Sequence, residues 1–264
     1  MKQRIITAIV AFGIFIPIIF IGGWPLTVTI YALGTIGLFE LFRMRGMSLF
    51  SVEGILGWLA LALVLLPNEG KEQLAQWTTL EPTQLFFLLM FLLLIHTVFM
   101  KNRFTFEHVG FILLSALYIG IGFHYFIETR AFGIEYIFYA LLIVWTTDSG
   151  AYFIGSRLGK HKLWPAISPN KTIEGFLGGI ISALVFLFAY NYFFPVTDSF
   201  VTLFVVTTIA SIFGQMGDLV ASAIKRHYDI KDFGKLLPGH GGVVDRFDSL
   251  LFVLPLLHFL HLIG

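Results

Sequence analysis

The chain has 264 residues, 57% of them hydrophobic and only 12% charged, with 30 phenylalanines, no cysteine and a formal net charge of +1. That charged share is roughly half the ~25% usual for a soluble domain, so a water-soluble globule is excluded and lipid must solvate part of the surface. The lack of cysteine excludes disulfides and thiolate metal sites, and the near-neutral balance gives no reason to expect a nucleic-acid partner.

In chain order, Lys2 and Arg4 precede an apolar run in the manner of a signal peptide. No small-residue cleavage site follows and apolar runs continue, so the segment is read as an uncleaved first helix. No acidic or basic side chain occurs from Ile5 to Phe39. One crossing needs only ~20 residues, and Gly22-Gly23-Trp24-Pro25 reads as a turn, so two spans are predicted, about 5–22 and 25–42. Glu40, Arg43 and Arg45 are expected to form a solvated end. A weaker third span is predicted over about 51–66, bracketed by Glu53 and Glu69. The next two cover about 82–100 and 108–127. A sixth, about 134–154, contains Asp148, and a seventh covers about 174–194. An eighth, about 200–224, contains Asp218, and a ninth runs from about 247 to the end. The fold class expected is an all-α polytopic transmembrane protein of about nine spans.

The distribution of charge orients it. With a cytoplasmic N-terminus, all but Lys71 and Arg130 of the 17 lysines and arginines fall on the cytoplasmic side, and the C-terminus is external. A single membrane domain, 1–264, is expected, with 1–130 as hydrophobic scaffold and 131–264 carrying the active site. No repeat is apparent.

Polar residues concentrate after position 145. Asp148 and Asp218 lie inside predicted spans, where a carboxylate costs several kcal/mol at least and must face a partner or a wet cavity. Asp218, Ser222 and Lys225 recur at i, i+4 and i+7 and share one helix face, and a purely structural Asp218–Lys225 pair is the bland alternative. Asp245 and Asp248 stand at i, i+3 and can face one way, or simply cap the last helix. Interleaved with them are Lys171, Lys225, Arg226, Lys231, Lys235 and Arg246, and the turn Pro238-Gly239-His240-Gly241-Gly242. Carboxylate oxygens select a hard cation such as Mg²⁺, while basic side chains and Gly-rich backbone N–H groups cradle phosphate. Lys160, His161 and Lys162 are expected to be interfacial anchors, Glu174 a helix-opening residue, and the remaining lone histidines structural.

These blocks resemble the phosphatidate cytidylyltransferases, or CDP-diacylglycerol synthases. The resemblance rests on Ser222, Lys225-Arg226, Lys231-Asp232, Pro238-x-His240-Gly241-Gly242 and Asp245-Arg246-x-Asp248, in unbroken order, and on 148–175 upstream. At Ala221 and Phe233 members often carry Glu and Ser. The resemblance implies CTP and phosphatidate as substrates and CDP-diacylglycerol and pyrophosphate as products. On that reading Asp218, Asp245, Asp248 and Lys225 are catalytic. Asp218, Asp248, Asp245 and Asp148 hold Mg²⁺, with K⁺ as a possible second cation. Lys171, Thr172, Ser222, Arg226, Lys231, His240, Gly241, Gly242 and Arg246 bind substrate. It also implies a homodimer, in a bacterial inner membrane with the active site facing the cytoplasm. The rivals are a CTP-dependent lipid kinase and a transporter. A transporter's midplane sites and repeat symmetry fit poorly with charge gathered at one face.

Overall fold

A computed structural model describes residues 2–101, 103–236, 238–239 and 241–263. The described chain is helical apart from one small hairpin. Six helices are long and apolar enough to cross a membrane, and a bent pair makes up to a seventh. The chain is therefore a polytopic helical membrane protein. It divides into two compact units, Met1–Glu128 with Phe233–Val243, and Thr129–Asp232 with Val244–Gly264.

In the first unit, α1 (Lys2–Ile21) and α2 (Gly23–Met44) meet at Gly22 and Gly23, whose φ values of +66° and +54° lie in the left-handed region that favours glycine. The break predicted at this Gly-Gly pair is where α1 ends and α2 begins. α3 (Val52–Leu65) starts where the Ser51 hydroxyl accepts the Gly54 N–H at 3.2 Å. It stops at Leu66-Pro67, and α4 (Asn68–Trp77), expected to be loop, leaves at 115°. At 14 residues α3 is about 21 Å long, short of the ~30 Å hydrocarbon layer. α5 (Pro82–Phe99) opens with a capping box between Glu81 and Gln84, and α6 (Phe106–Phe132) follows. Leu26, Ile30, Phe42, Leu61 and Ile112 form a core that water does not reach.

The expectation for Glu40 fails. Its residue is 4% exposed, not a solvated helix end. The Val243 N–H donates to its Oε1 at 2.9 Å.

In the second unit, α7 (Ile134–Leu158) and α8 (Ile173–Phe193) run antiparallel and very close. Gly150 lies against Ser182, Gly155 against Gly175, Gly178 against Ile154 and Gly179 against the Thr147 carbonyl. Small residues let backbones approach where lipid supplies no hydrophobic drive. α9 (Phe200–His227) adds interhelical hydrogen bonds: Tyr139 to Thr207 at 2.7 Å, Thr147 to Ser211 at 2.8 Å, and Gln215 Nε2 donating to the Phe176 carbonyl at 3.2 Å. α10 (Val244–Phe247) and α11 (Leu250–Phe259) complete the unit, α11 packing on Gly214 and Gly217 of α9.

Between α7 and α8, a stretch read from sequence as loop is an antiparallel hairpin. β1 (Lys162–Trp164) pairs with β2 (Ser168–Thr172), with Lys162 opposite Thr172 and Trp164 opposite Ser168.

The glycine seam gives a stability prediction. A Cβ at Gly178 would sit 2.6 to 2.7 Å from three Ile154 carbons, whereas one at Gly110 meets nothing within 4 Å. Gly178→Ala should destabilise the protein by about 1–3 kcal/mol, as overpacking does. Gly110→Ala should be neutral or raise stability by up to ~1 kcal/mol through helix propensity. Thermal unfolding of both variants in detergent checks this, and equal melting temperatures would contradict it.

Candidate active site

The helix ends beside the hairpin carry the polar residues of the second unit. Thr172 is the N-cap of α8, its hydroxyl accepting the Gly175 N–H at 3.1 Å. Glu174, in the first turn of α8, accepts the backbone N–H of Lys160 at 3.1 Å and of His161 at 3.2 Å. It also meets His161 Nδ1 at 2.7 Å. One carboxylate thus ties the entry of the hairpin to its exit, which fixes where β2 delivers Lys171. From the far side Arg226 Nε donates to the Ile167 carbonyl at 3.3 Å, holding the hairpin tip against α9.

So placed, the Lys171 ammonium reaches Asp218 of α9 at 2.5 Å. Both border a cavity of about 630 Å³, within the ~300–1,000 Å³ range of small-ligand sites. Its lining includes Asp148, Lys162, Asn170, Thr172 and Gln215 together with Lys171 and Asp218. Lys162, expected as a mere anchor, is therefore a cavity residue.

Asp248 lies in the turn between α10 and α11 and is 9% exposed, its carboxylate accepting the Ser249 N–H at 2.8 Å. It lies within electrostatic reach of Asp218, Asp148 and Lys225. Asp148 in turn feels Asp218, Lys171 and Arg246. Three carboxylates and three cationic side chains therefore share one local field. Asp245 stands beside it, where Lys225 Nζ donates to its Oδ1 at 2.7 Å, and its side chain is only 2% exposed.

The shared face of α9 does not produce an Asp218–Lys225 pair. Asp218 takes Lys171 and Lys225 takes Asp245, because the neighbouring elements present closer partners. Ser222 is half-buried on α9, and Lys231 is exposed just after it. Gly241 and Gly242 belong to the first unit's 233–243 segment, and His240 lies outside the described residues. Ala221 and Phe233 are buried at 0% and 3% exposure. Sequence reasoning missed Asn170, Gln215 and Lys162 as lining residues. Only Lys162, inside a basic cluster, carried a signal.

Among the described residues no three His, Asp or Glu side chains stand close enough to hold a metal ion unaided. The donor set nonetheless fits a hard cation. Its donors are carboxylate oxygens, and Mg²⁺ reaches a protein through one or two carboxylates while phosphates and water fill its other positions. Asp148 and Asp218 both line the cavity.

A family model described as "Cytidylyltransferase family" matches residues 2–263. The chain is 51% identical to a phosphatidate cytidylyltransferase of Bacillus subtilis (strain 168), over 98% of this chain and 97% of that one. It is 49% identical to the protein of that name from Staphylococcus haemolyticus (strain JCSC1435), over 98% of both chains. The Staphylococcus aureus (strain COL) protein of the same name is 47% identical over the same shares.

Proposed function

The chain belongs to the cytidylyltransferase family, and from this we infer that it transfers the cytidylyl group of CTP to phosphatidate, giving CDP-diacylglycerol and pyrophosphate. The observation that carries this into the structure is the Lys171–Asp218 contact on the wall of a cavity that also holds Asp148.

A phosphate oxygen of phosphatidate attacks the α-phosphorus of CTP. The bond from that phosphorus to the α,β-bridging oxygen breaks, and pyrophosphate carries the electron pair away. The nucleophile is already an anion at neutral pH, so no strong general base is required. The obstacle is repulsion between two polyanions. Lys171, Lys225, Arg226 and Arg246 lower it by binding phosphate oxygens and holding the reactants in line. Asp218 and Asp248 would hold Mg²⁺, with Asp148 and Asp245 as further ligands or orienting groups. Bound there, the ion supplies charge neutralisation and a template for in-line displacement. A second cation such as K⁺ fits the same acidic cluster. The Lys171–Asp218 contact fits an arrangement in which the ammonium turns to substrate phosphate once a cation takes the carboxylate. Thr172, Ser222, Lys231, His240, Gly241 and Gly242 complete the substrate-binding set.

The charge distribution supports nine spans in one membrane domain, with the N-terminus and the site cytoplasmic and the C-terminus external, in the plasma membrane of a bacterium. On this reading α1, α3 and the stretch from about 247 onward are the three spans beyond the six long helices. The resemblance supports a homodimer.

The reaction is tested with the full chain in detergent. Pyrophosphate release from CTP should require both phosphatidate and Mg²⁺ and should stop on adding EDTA, with activity restored by excess Mg²⁺. Release that persists in EDTA would remove the metal from this reading, and CDP as the product would make the chain a lipid kinase.

A further inference from the structure

Glu40 is out of place on ordinary grounds. It sits in the last turns of α2, where the helix dipole disfavours an anion, and at the edge of a membrane-crossing helix, where a carboxylate is costly. It is nevertheless 4% exposed. What surrounds it is a distant piece of backbone. Val243 N–H donates to Oε1 at 2.9 Å across 203 positions of sequence. A Cβ on Gly234 would collide with Oε1, and a Cβ on Gly242 would collide with both carboxylate oxygens. The two ends of the 234–242 segment therefore close on the same carboxylate.

Lys235, Leu236, Pro238 and Gly239 are exposed, and Gly239 and Gly241 take φ values of +80° and +91°, open to glycine and strained for other residues. The Gly241-Gly242 pair thus has two separate physical causes. Gly241 is required by its backbone angle, and Gly242 by the space that Glu40 occupies.

We propose that Glu40 is a positioning residue, whose carboxylate clasps the backbone at Gly234, Gly242 and Val243 and so fixes these two ends of the segment against each other. The functional consequence rests on the reading above, in which Gly241 and Gly242 bind substrate. Glu40 does not touch the reacting atoms. It sets the backbone that presents these glycines, and Val243 stands two residues before Asp245 in the chain.

Two readouts on the full-length protein test this. Amide hydrogen exchange reports the loop whatever the substrate is. In Glu40→Ala, exchange across 234–243 should rise by about tenfold or more, while α9 keeps its wild-type protection. With CTP and phosphatidate, kcat/KM should fall by roughly a hundredfold, the scale of a misplacement of about 1 Å. Glu40→Gln keeps an accepting oxygen at the same reach and should recover most of both losses. Gly234→Ala, which intrudes on the carboxylate from the other side, should reproduce the Glu40→Ala exchange pattern and carries the test if Glu40→Ala cannot be obtained folded. Unchanged exchange at 234–243, or a rise spread equally over α9, would overturn the proposal. A wild-type protein that releases no pyrophosphate would sink the functional reading alone, and the exchange measurement would still decide the clasp.

Discussion

Asp218→Asn is expected to lower the rate of pyrophosphate release by about a thousandfold, the several kcal/mol that a metal-holding carboxylate contributes to charge stabilisation in the transition state. Asparagine keeps the volume and removes the charge. The cost to folding should be small. The Asp218–Lys171 pair is partly open to solvent, with side-chain exposures of 32% and 28%, and such pairs contribute about 1 kcal/mol or less. The melting temperature should therefore barely move while activity disappears. Lys171 supplies the control. If Asp218 served only to hold Lys171, then Asp218→Asn in a Lys171→Met background would cost nothing further. If it holds a cation, the double variant should be slower than Lys171→Met alone. Steady-state rates of the four proteins settle the matter.

The second large effect belongs to Lys225 and Asp245. Their contact is 2.7 Å, with side-chain exposures of 16% and 2%. Removing one partner of a buried pair strands the other, at a cost of about 3–5 kcal/mol. Lys225→Met should therefore lower the melting temperature markedly. Asp245→Leu should also destabilise, because an ammonium then loses its acceptor in a dry setting. The double variant, Lys225→Met with Asp245→Leu, should regain most of the lost stability, since replacing both charges by apolar groups is often neutral. On the proposed function, in which both groups handle phosphate and metal, it should not regain activity. A double variant as unstable as the sum of its singles would contradict this, and one that turned over normally would make the pair purely structural.

The sequence exposes what depends on local composition. Apolar runs bounded by charge reveal where helices lie, because the hydrocarbon thickness fixes their length. The Gly22-Gly23 helix break and the Pro82 helix start are equally legible, being properties of two or three adjacent residues. The acidic and basic residues after position 145 pointed to a polar site because buried charge is expensive, and Asp148, Lys171 and Asp218 do line one cavity. Partner choice was not legible. The 3.6-residue period places Asp218 and Lys225 on one face of α9, yet it does not say which neighbour that face meets. That neighbour is a hairpin whose β2 brings Lys171, irregular-looking sequence having paired instead as strands. Glu40 fails for the same reason on a larger scale. Its surroundings, Arg43 and Arg45, read as a solvated helix end, and nothing near it in sequence announces a hydrogen bond to Val243. The glycines at 234 and 242 carried the clue, since a carboxylate had to fit where their side chains would be.

The most direct test of cytidylyl transfer follows the label from CTP into lipid. With purified full-length protein, Mg²⁺ and phosphatidate, CTP labelled in its α-phosphate should put label into the lipid-soluble product, and CTP labelled in its γ-phosphate should leave its label in pyrophosphate. Label from the γ-phosphate in the lipid, with none from the α-phosphate, would show phosphoryl rather than cytidylyl transfer and contradict the assignment.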